Sequence, residues 1–183
     1  MPIYFPRGFN SGEPVRVVDG VTVVRGSLAK QSAALRVVAG ARGALGALAG
    51  PGSATARRVL DAAAPGMLRR LRTRPRRPGS LHLFDLPSPP TRWLGFFEYR
   101  EVPRTLEALA EAVADIERHA AERGVTEVAI APFGGAPADA ERLVRVLGDR
   151  NRGGQPAVRW IVVVADRAQF EAATAAGVKA TSP

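Results

Sequence analysis

The stretch Ala33–Thr55, AALRVVAGARGALGALAGPGSAT, decides how this chain is read. Leu35 to Ala39 is an apolar run of strand length with two valines at its centre, which predicts a buried strand. Glycines at 40, 43, 46, 50 and 52 follow among alanines and leucines and predict a loop of small residues. Ser53 or Thr55 then caps a helix that starts near Ala54. Strand, glycine-rich loop and helix N-terminus, in that order, form a geometry that holds phosphate. Glycine lets the backbone approach the ligand, and the amides of a first helical turn have no partner within the helix. Neither GxGxxG nor a P-loop GK[ST] is present, so on glycine content alone a low-complexity connection that binds nothing is the stronger reading.

Outward from that stretch, the chain reads as alternating strands and helices. Upstream, residues 1–14 carry three prolines and two glycines and are expected to be an irregular lead-in. Val15–Val18 and Val21–Val24 flank Asp19-Gly20, a strong hairpin signal. Downstream, Val59, Leu60 and Ala63 share a helical face. Pro65-Gly66 interrupts it, and Met67, Leu68 and Leu71 resume it until Pro75 and Pro78. Gly79–Leu86 alternates and Trp93–Tyr99 is apolar and aromatic, so both predict strands, with His82 expected on the outward side of the first. Leu106, Leu109, Val113, Ile116 and Ala120 mark a helix over 105–123, closed by Gly124. Val125–Ala131 reads as a buried strand and Val158–Ala165 as a continuous apolar one, separated by a helix that opens at Pro137. Asp166 and Gln169 predict a capping box for a last helix, and residues 179–183 a frayed tail. The class is α/β, with one domain over 15–178. In such sheets ligands bind beyond the carboxyl ends of strands, which singles out Gly40–Ser53 and Phe133–Pro137.

Composition narrows the chemistry. At 183 residues and 46% hydrophobic content the chain is long enough for a sizeable core. It has no cysteine, which excludes disulfides and thiolate metal sites. His82 and His119 have no partner at ligand spacing, so no metal site is expected. No apolar run reaches the roughly 18 residues of a membrane span. MPIYFPRGFN lacks a signal-peptide layout, so a cytoplasmic protein with no membrane partner is the expectation. The net charge of +9 rests on 24 arginines and two lysines. It is concentrated at Arg57, Arg58, Arg69, Arg70, Arg72, Arg74, Arg76 and Arg77, opposed in that segment by Asp61 alone. Arginine forks suit phosphate oxygens, so nucleic acid or another polyanion is one candidate partner; a solvated, arginine-rich face is the plainer alternative.

From about Val21 to Ala176 the chain resembles the macro domain, an ADP-ribose-binding α/β/α fold. VTVVRGSL (21–28) is similar to that family's opening strand, which normally ends in Gly-Asp-Ile or Gly-Asp-Leu. Leu35–Ala41 resembles the segment normally written DAIVNAAN, and Gly50–Gly66 lies where the family has its phosphate loop and a helix ending Ala-Ala-Gly-Pro. GVTEVAIAPFGG (124–135) is similar to the second loop, usually Phe-Pro-x-Ile-Ser-Thr-Gly, and Val158–Phe170 to the last strand and helix. The resemblance implies a three-layer fold around a mixed, largely parallel sheet of six or seven strands. It also implies a ligand site at Ser27, Leu28, Gly40, Gly50, Gly52, Ser53, Ala54, Phe133, Gly134, Gly135 and Ala136.

The departures bear on activity. Ser27 stands where the family's adenine-recognising acid is normally found, Val38 and Ala41 where its asparagines are, and Ala165 where an aromatic often stacks on adenine. The second loop lacks Ser-Thr-Gly. The expectation is therefore a degenerate member that binds ADP-ribose or a related nucleotide diphosphate through backbone amides of two adjacent glycine turns. No catalytic residue, no cofactor and no hydrolysis are expected. An arginine-based polyanion binder and a protein-interaction scaffold with a decayed pocket remain the alternatives, the protein partner unknown.

Overall fold

The computed structural model describes residues 14–43, 47–49, 53–87, 90–154 and 158–176. In chain order the elements are β1 (Val15–Val18), β2 (Val21–Arg25), a short 3-10 turn (Leu28–Lys30), β3 (Leu35–Arg42), β4 (Leu48–Ala49), α1 (Ser53–Ala63), α2 (Met67–Thr73), β5 (Ser80–Asp85) and β6 (Trp93–Glu98). They continue through α3 (Leu106–Ala121), β7 (Glu127–Ile130), α4 (Pro137–Arg152), β8 (Arg159–Val164) and α5 (Arg167–Ala175). The sheet order is β1-β2-β8-β7-β3-β6-β5, with β4 attached to β3. β2, β8, β7, β3 and β6 run parallel, and the edge strands β1 and β5 pair antiparallel. Among the described residues no helix is long and apolar enough to cross a membrane.

Successive side chains of a strand point to opposite faces, so a strand covered on both sides must be apolar throughout. Val37 and Val162 face one way, under α3, α4 and α5. Their neighbours Val38 and Val163 face the other, under α1 and α2. The α/β/α layering implied by the resemblance is thus observed. Local signals set the boundaries. Asp19 (φ +48°) and Gly20 (φ +78°) make the β1–β2 turn. The Thr105 hydroxyl accepts from the Ala108 N–H at 3.2 Å to start α3, and the Asp166 carboxylate from the Gln169 N–H at 2.8 Å to start α5.

Two details differ from the sequence reading. The strand read as ending at Ala39 continues to Arg42, and the chain then reverses, the Gly43 N–H donating to the Ala47 carbonyl at 2.7 Å so that β4 pairs back on β3. The first half of the expected open glycine loop is therefore a small hairpin, and Gly40 is a strand residue within it. Residues 1–13 of the lead-in, Gly46, Gly50, Gly52 and the tail lie outside the described residues. The second difference is His82, which is buried rather than outward: its ring lies 6.3 Å from that of Phe96.

His82 belongs to a buried charged cluster. Glu98, fully buried at the end of β6, accepts at Oε2 from Arg42 Nε at 2.8 Å, from the Arg42 terminal nitrogen, and from His82 Nε2 at 2.9 Å. Arg42 also donates to the carbonyls of Leu71, Arg74 and Pro75 at 2.8–3.0 Å, so one guanidinium ties β3 and β6 to the end of α2. Burial by itself raises the Glu98 carboxyl pKa; the bonds from Arg42 and His82 outweigh it and hold the group below its ordinary value. Burial lowers the His82 pKa below 6.5, against the opposing bond to Glu98. A buried pair is a weak source of net stability, but breaking it strands a charge. Glu98→Ala is therefore expected to cost about 3–5 kcal/mol in urea unfolding, by leaving Arg42 uncompensated. The pH dependence has a definite sign: below pH 6.5 the unfolded chain takes up a proton that folded His82 resists, so stability falls as the solution is acidified, and Glu98 adds a further loss as its carboxylate protonates. The urea midpoint should drop between about pH 7 and about pH 5, and His82→Gln should flatten that part of the profile.

Candidate functional site

Because β2, β8 and β7 are adjacent and parallel, their carboxyl ends lie side by side on one rim, and a cleft of about 320 Å³ opens there. Gly26–Ala29 form the wall that follows β2, and Val163 and Ala165 come from the end of β8. Ala131, Pro132, Gly134 and Gly135 follow β7, and Ala54, Thr55, Arg58 and Val59 belong to the start of α1. Gln169 of α5 completes the lining.

Five of the expected ligand residues, Ser27, Leu28, Ala54, Gly134 and Gly135, come together in this cleft. Ser27 is exposed at the start of the 3-10 turn, and its hydroxyl makes no capping bond there. Leu28 is buried beneath it. The N–H groups of Gly134 and Gly135 donate to no described residue. Gly134 needs its missing Cβ, since that atom would sit 2.1 Å from Asp139 Oδ2. The same carboxylate oxygen accepts the Ala136 N–H at 2.9 Å and so sets the start of α4.

The other expected residues fall elsewhere. Gly40 does not line the cleft. It is paired in β3 opposite Glu98, and a Cβ there would meet the Phe96 ring at 3.2 Å and approach Ala56, so its smallness lets α1 pack on the sheet. Phe133 is core, its ring stacked on Phe97 with centroids 5.3 Å apart. Ala136 is the N-cap of α4 and lies outside the lining. Ser53 opens α1, and Gly50 and Gly52 lie outside the described residues. The cleft therefore pairs the 133–135 turn with the first turn of α1, where the geometry of a helix start leaves amides without a partner inside the helix.

Two side chains of the site carried different meanings in the sequence. Arg58, expected in a polyanion face, lines the cleft and is the ionisable side chain of its described lining. Gln169, expected as a capping residue, has its backbone N–H on Asp166 while its amide bridges the rim. Its Oε1 accepts from the Ala165 N–H at 3.0 Å, and its Nε2 donates to the Gly135 carbonyl at 3.0 Å. That bridge fixes the end of β8 against the 133–135 turn. The sequence carried no sign of it, because it depends on where β7 and β8 end relative to α5. Gln169→Leu should cost about 1–3 kcal/mol in thermal or urea unfolding, because an N–H and a carbonyl lose their partner on the rim.

No protein-family model and no curated protein sequence matches the chain. Solved structures do. The chain is similar to the Oceanobacillus iheyensis macrodomain with MES bound, at TM-score 0.68 and 15% identity over 92% of this chain and 96% of that one. It is similar to the Trypanosoma brucei macrodomain in complex with ADP-ribose, at TM-score 0.66 and 15% identity over 85% of this chain and 68% of that one. The macro domain of ganglioside induced differentiation associated protein 2 superposes at TM-score 0.63 with 12% identity, over 84% of this chain and 82% of that one. The chain has the macrodomain fold.

Proposed function

On the premise of a macrodomain fold, we propose that the cleft binds ADP-ribose or a related nucleotide diphosphate and does not hydrolyse it. The observation that carries this reading is the convergence on one rim of the Gly134 and Gly135 amides, which donate to no described residue, the first turn of α1 and the Arg58 guanidinium. A pyrophosphate is matched by amides at a helix start and by a nearby arginine, with no need for the side chains that the family pattern would have supplied. Macrodomains of the same fold from Trypanosoma brucei are described in complex with ADP and with ADP-ribose, which supports the same ligand class here.

Hydrolysis asks for more. A water must be positioned and its proton accepted as charge develops on the leaving group. The described lining offers the Arg58 guanidinium, which is a donor with no acceptor atom, and Ser27, Thr55 and Gln169 as neutral polar groups. Together with Val38 and Ala41 at the family's asparagine positions, this supports binding without turnover.

Calorimetry with ADP-ribose should give a one-site isotherm, weakened by Arg58→Glu. Restoring the family pattern should strengthen it: Ser27→Asp by about fivefold, through a charge-assisted acceptor for an adenine amino group, and Ala165→Phe by about tenfold, through stacking. No detectable heat at millimolar ligand in the unaltered protein, in Ser27→Asp and in Ala165→Phe would end the binding proposal. Release of ADP-ribose from an ADP-ribosylated substrate, faster than in buffer, would end the non-hydrolytic half.

A further inference from the structure

The arginines between Arg57 and Arg77 are set apart by their density, eight of them with Asp61 as the one acid in the same stretch. Along α3, α4, β8 and α5 many cations are paired: Arg118 with Asp115 and Glu122, Arg142 with Asp139, Arg150 with Glu117, Arg152 with Asp19, Arg159 with Glu127, and Arg167 with Glu171, while Arg16, Arg104 and Arg145 meet no carboxylate among the described residues but are scattered over the fold. Within the segment all eight arginines are exposed, and the guanidiniums of Arg57, Arg69, Arg72 and Arg77 meet no carboxylate among the described residues.

Their placement is also fixed. Arg42 holds the carbonyls of Leu71, Arg74 and Pro75, and Arg76 reaches Glu98 at 3.5 Å, so the end of α2 and the turn after it are tied to the sheet by the buried cluster. Arg70 and Arg74 lie over the Phe84 ring at 5.7 and 4.5 Å. Beside them a groove of about 370 Å³ runs between β4, α1 and α2, with Arg57 and Arg72 on its lips and Leu48, Leu68 and Leu71 on its floor. Arg58, one residue from Arg57, turns instead to the nucleotide cleft, so the groove and the cleft are separate surfaces on α1.

We propose that this arginine face is a second binding surface, which takes the phosphodiester backbone of a single-stranded nucleic acid without reading its sequence. The planar guanidinium matches phosphate oxygens in a bidentate manner, and several uncompensated cations spread over α1, α2 and the turn after it, two of them on one groove, attract a repeating anion over a single one. A membrane fits less well. Among the described residues the one large, exposed hydrophobic side chain is Val17, on β1 at the far edge of the sheet, so the basic face has no apolar anchor to insert.

The test is fluorescence anisotropy with labelled single strands of about 20 nucleotides, one of RNA and one of DNA, over a salt series. If four arginines each neutralise one phosphate, affinity should fall about 50-fold between about 50 and 200 mM salt. The triple variant Arg69→Glu, Arg72→Glu, Arg77→Glu should lose at least about tenfold. A charge-matched control, Arg16→Glu, Arg104→Glu, Arg145→Glu, should lose far less; thermal melts establish that both variants are folded, and the salt series on the unaltered protein needs neither. Binding of either strand with that slope supports the proposal, and the RNA and DNA arms separate the source of the phosphodiester. Four results would overturn it: affinity independent of salt, equal loss in the control, displacement of the strand by excess ADP-ribose, or retention on phosphatidylserine vesicles with no binding of either oligonucleotide.

Discussion

The structure depends on one constraint: five parallel strands must be covered on both faces. A parallel pair needs a crossover, and the crossover that also covers apolar surface is a helix running back across the sheet. Each such helix starts where a strand ends. The carboxyl ends of β2, β7 and β8 and the starts of α1, α4 and α5 are thereby gathered on one rim. Free amides and the positive ends of helix dipoles accumulate there as a consequence of burying valines, before any residue is chosen for a ligand. Two side chains then shape the rim. Asp139 fills the space above Gly134, and Gln169 bolts the end of β8 to the Gly135 carbonyl.

Much of this was legible in the sequence because it is periodic. The valine runs, the Asp19-Gly20 turn, the helix opened by Thr105 and the break at Pro65-Gly66 all appear where local pattern places them. The order of the elements and the resemblance to the macro domain carried the layering. What stayed hidden was of two physical kinds. Small residues are ambiguous, since glycine serves equally for a loop, for close packing and for ligand approach. Gly40 proved to be packing under α1, whereas Gly134 and Gly135 do reach the cleft. Polar side chains that bond across the fold are hidden for another reason, because their partners are distant in sequence. His82 and Glu98 are 16 residues apart and Arg42 and Glu98 are 56 apart, yet they form one buried cluster.

That cluster also shows how a charged group buried at the end of a strand can shape a surface. Arg42 spends its donors on Glu98 and on three carbonyls at the end of α2. The arginines that follow are held at the surface with few acids beside them, in contrast to the ion pairs along α3, α4 and α5. The two anion sites proposed above thus rest on different physics. The cleft would use backbone dipoles set by topology, and the arginine face side-chain charge on a segment held by an internal ion pair. They meet along α1, where Arg57 and Arg58 point to different surfaces.

The proposed site is tested most directly by locating where ADP-ribose touches the protein. Amide chemical shifts followed by two-dimensional nuclear magnetic resonance during titration with ADP-ribose read that position residue by residue. The predicted result is a set of shifts centred on Ser27–Ala29, Ala54–Arg58, Gly134, Gly135 and Ala165, leaving Tyr99 and the far end of α3 unchanged. Shifts gathered on α2 and the arginines after it, or none at millimolar ligand, would contradict it.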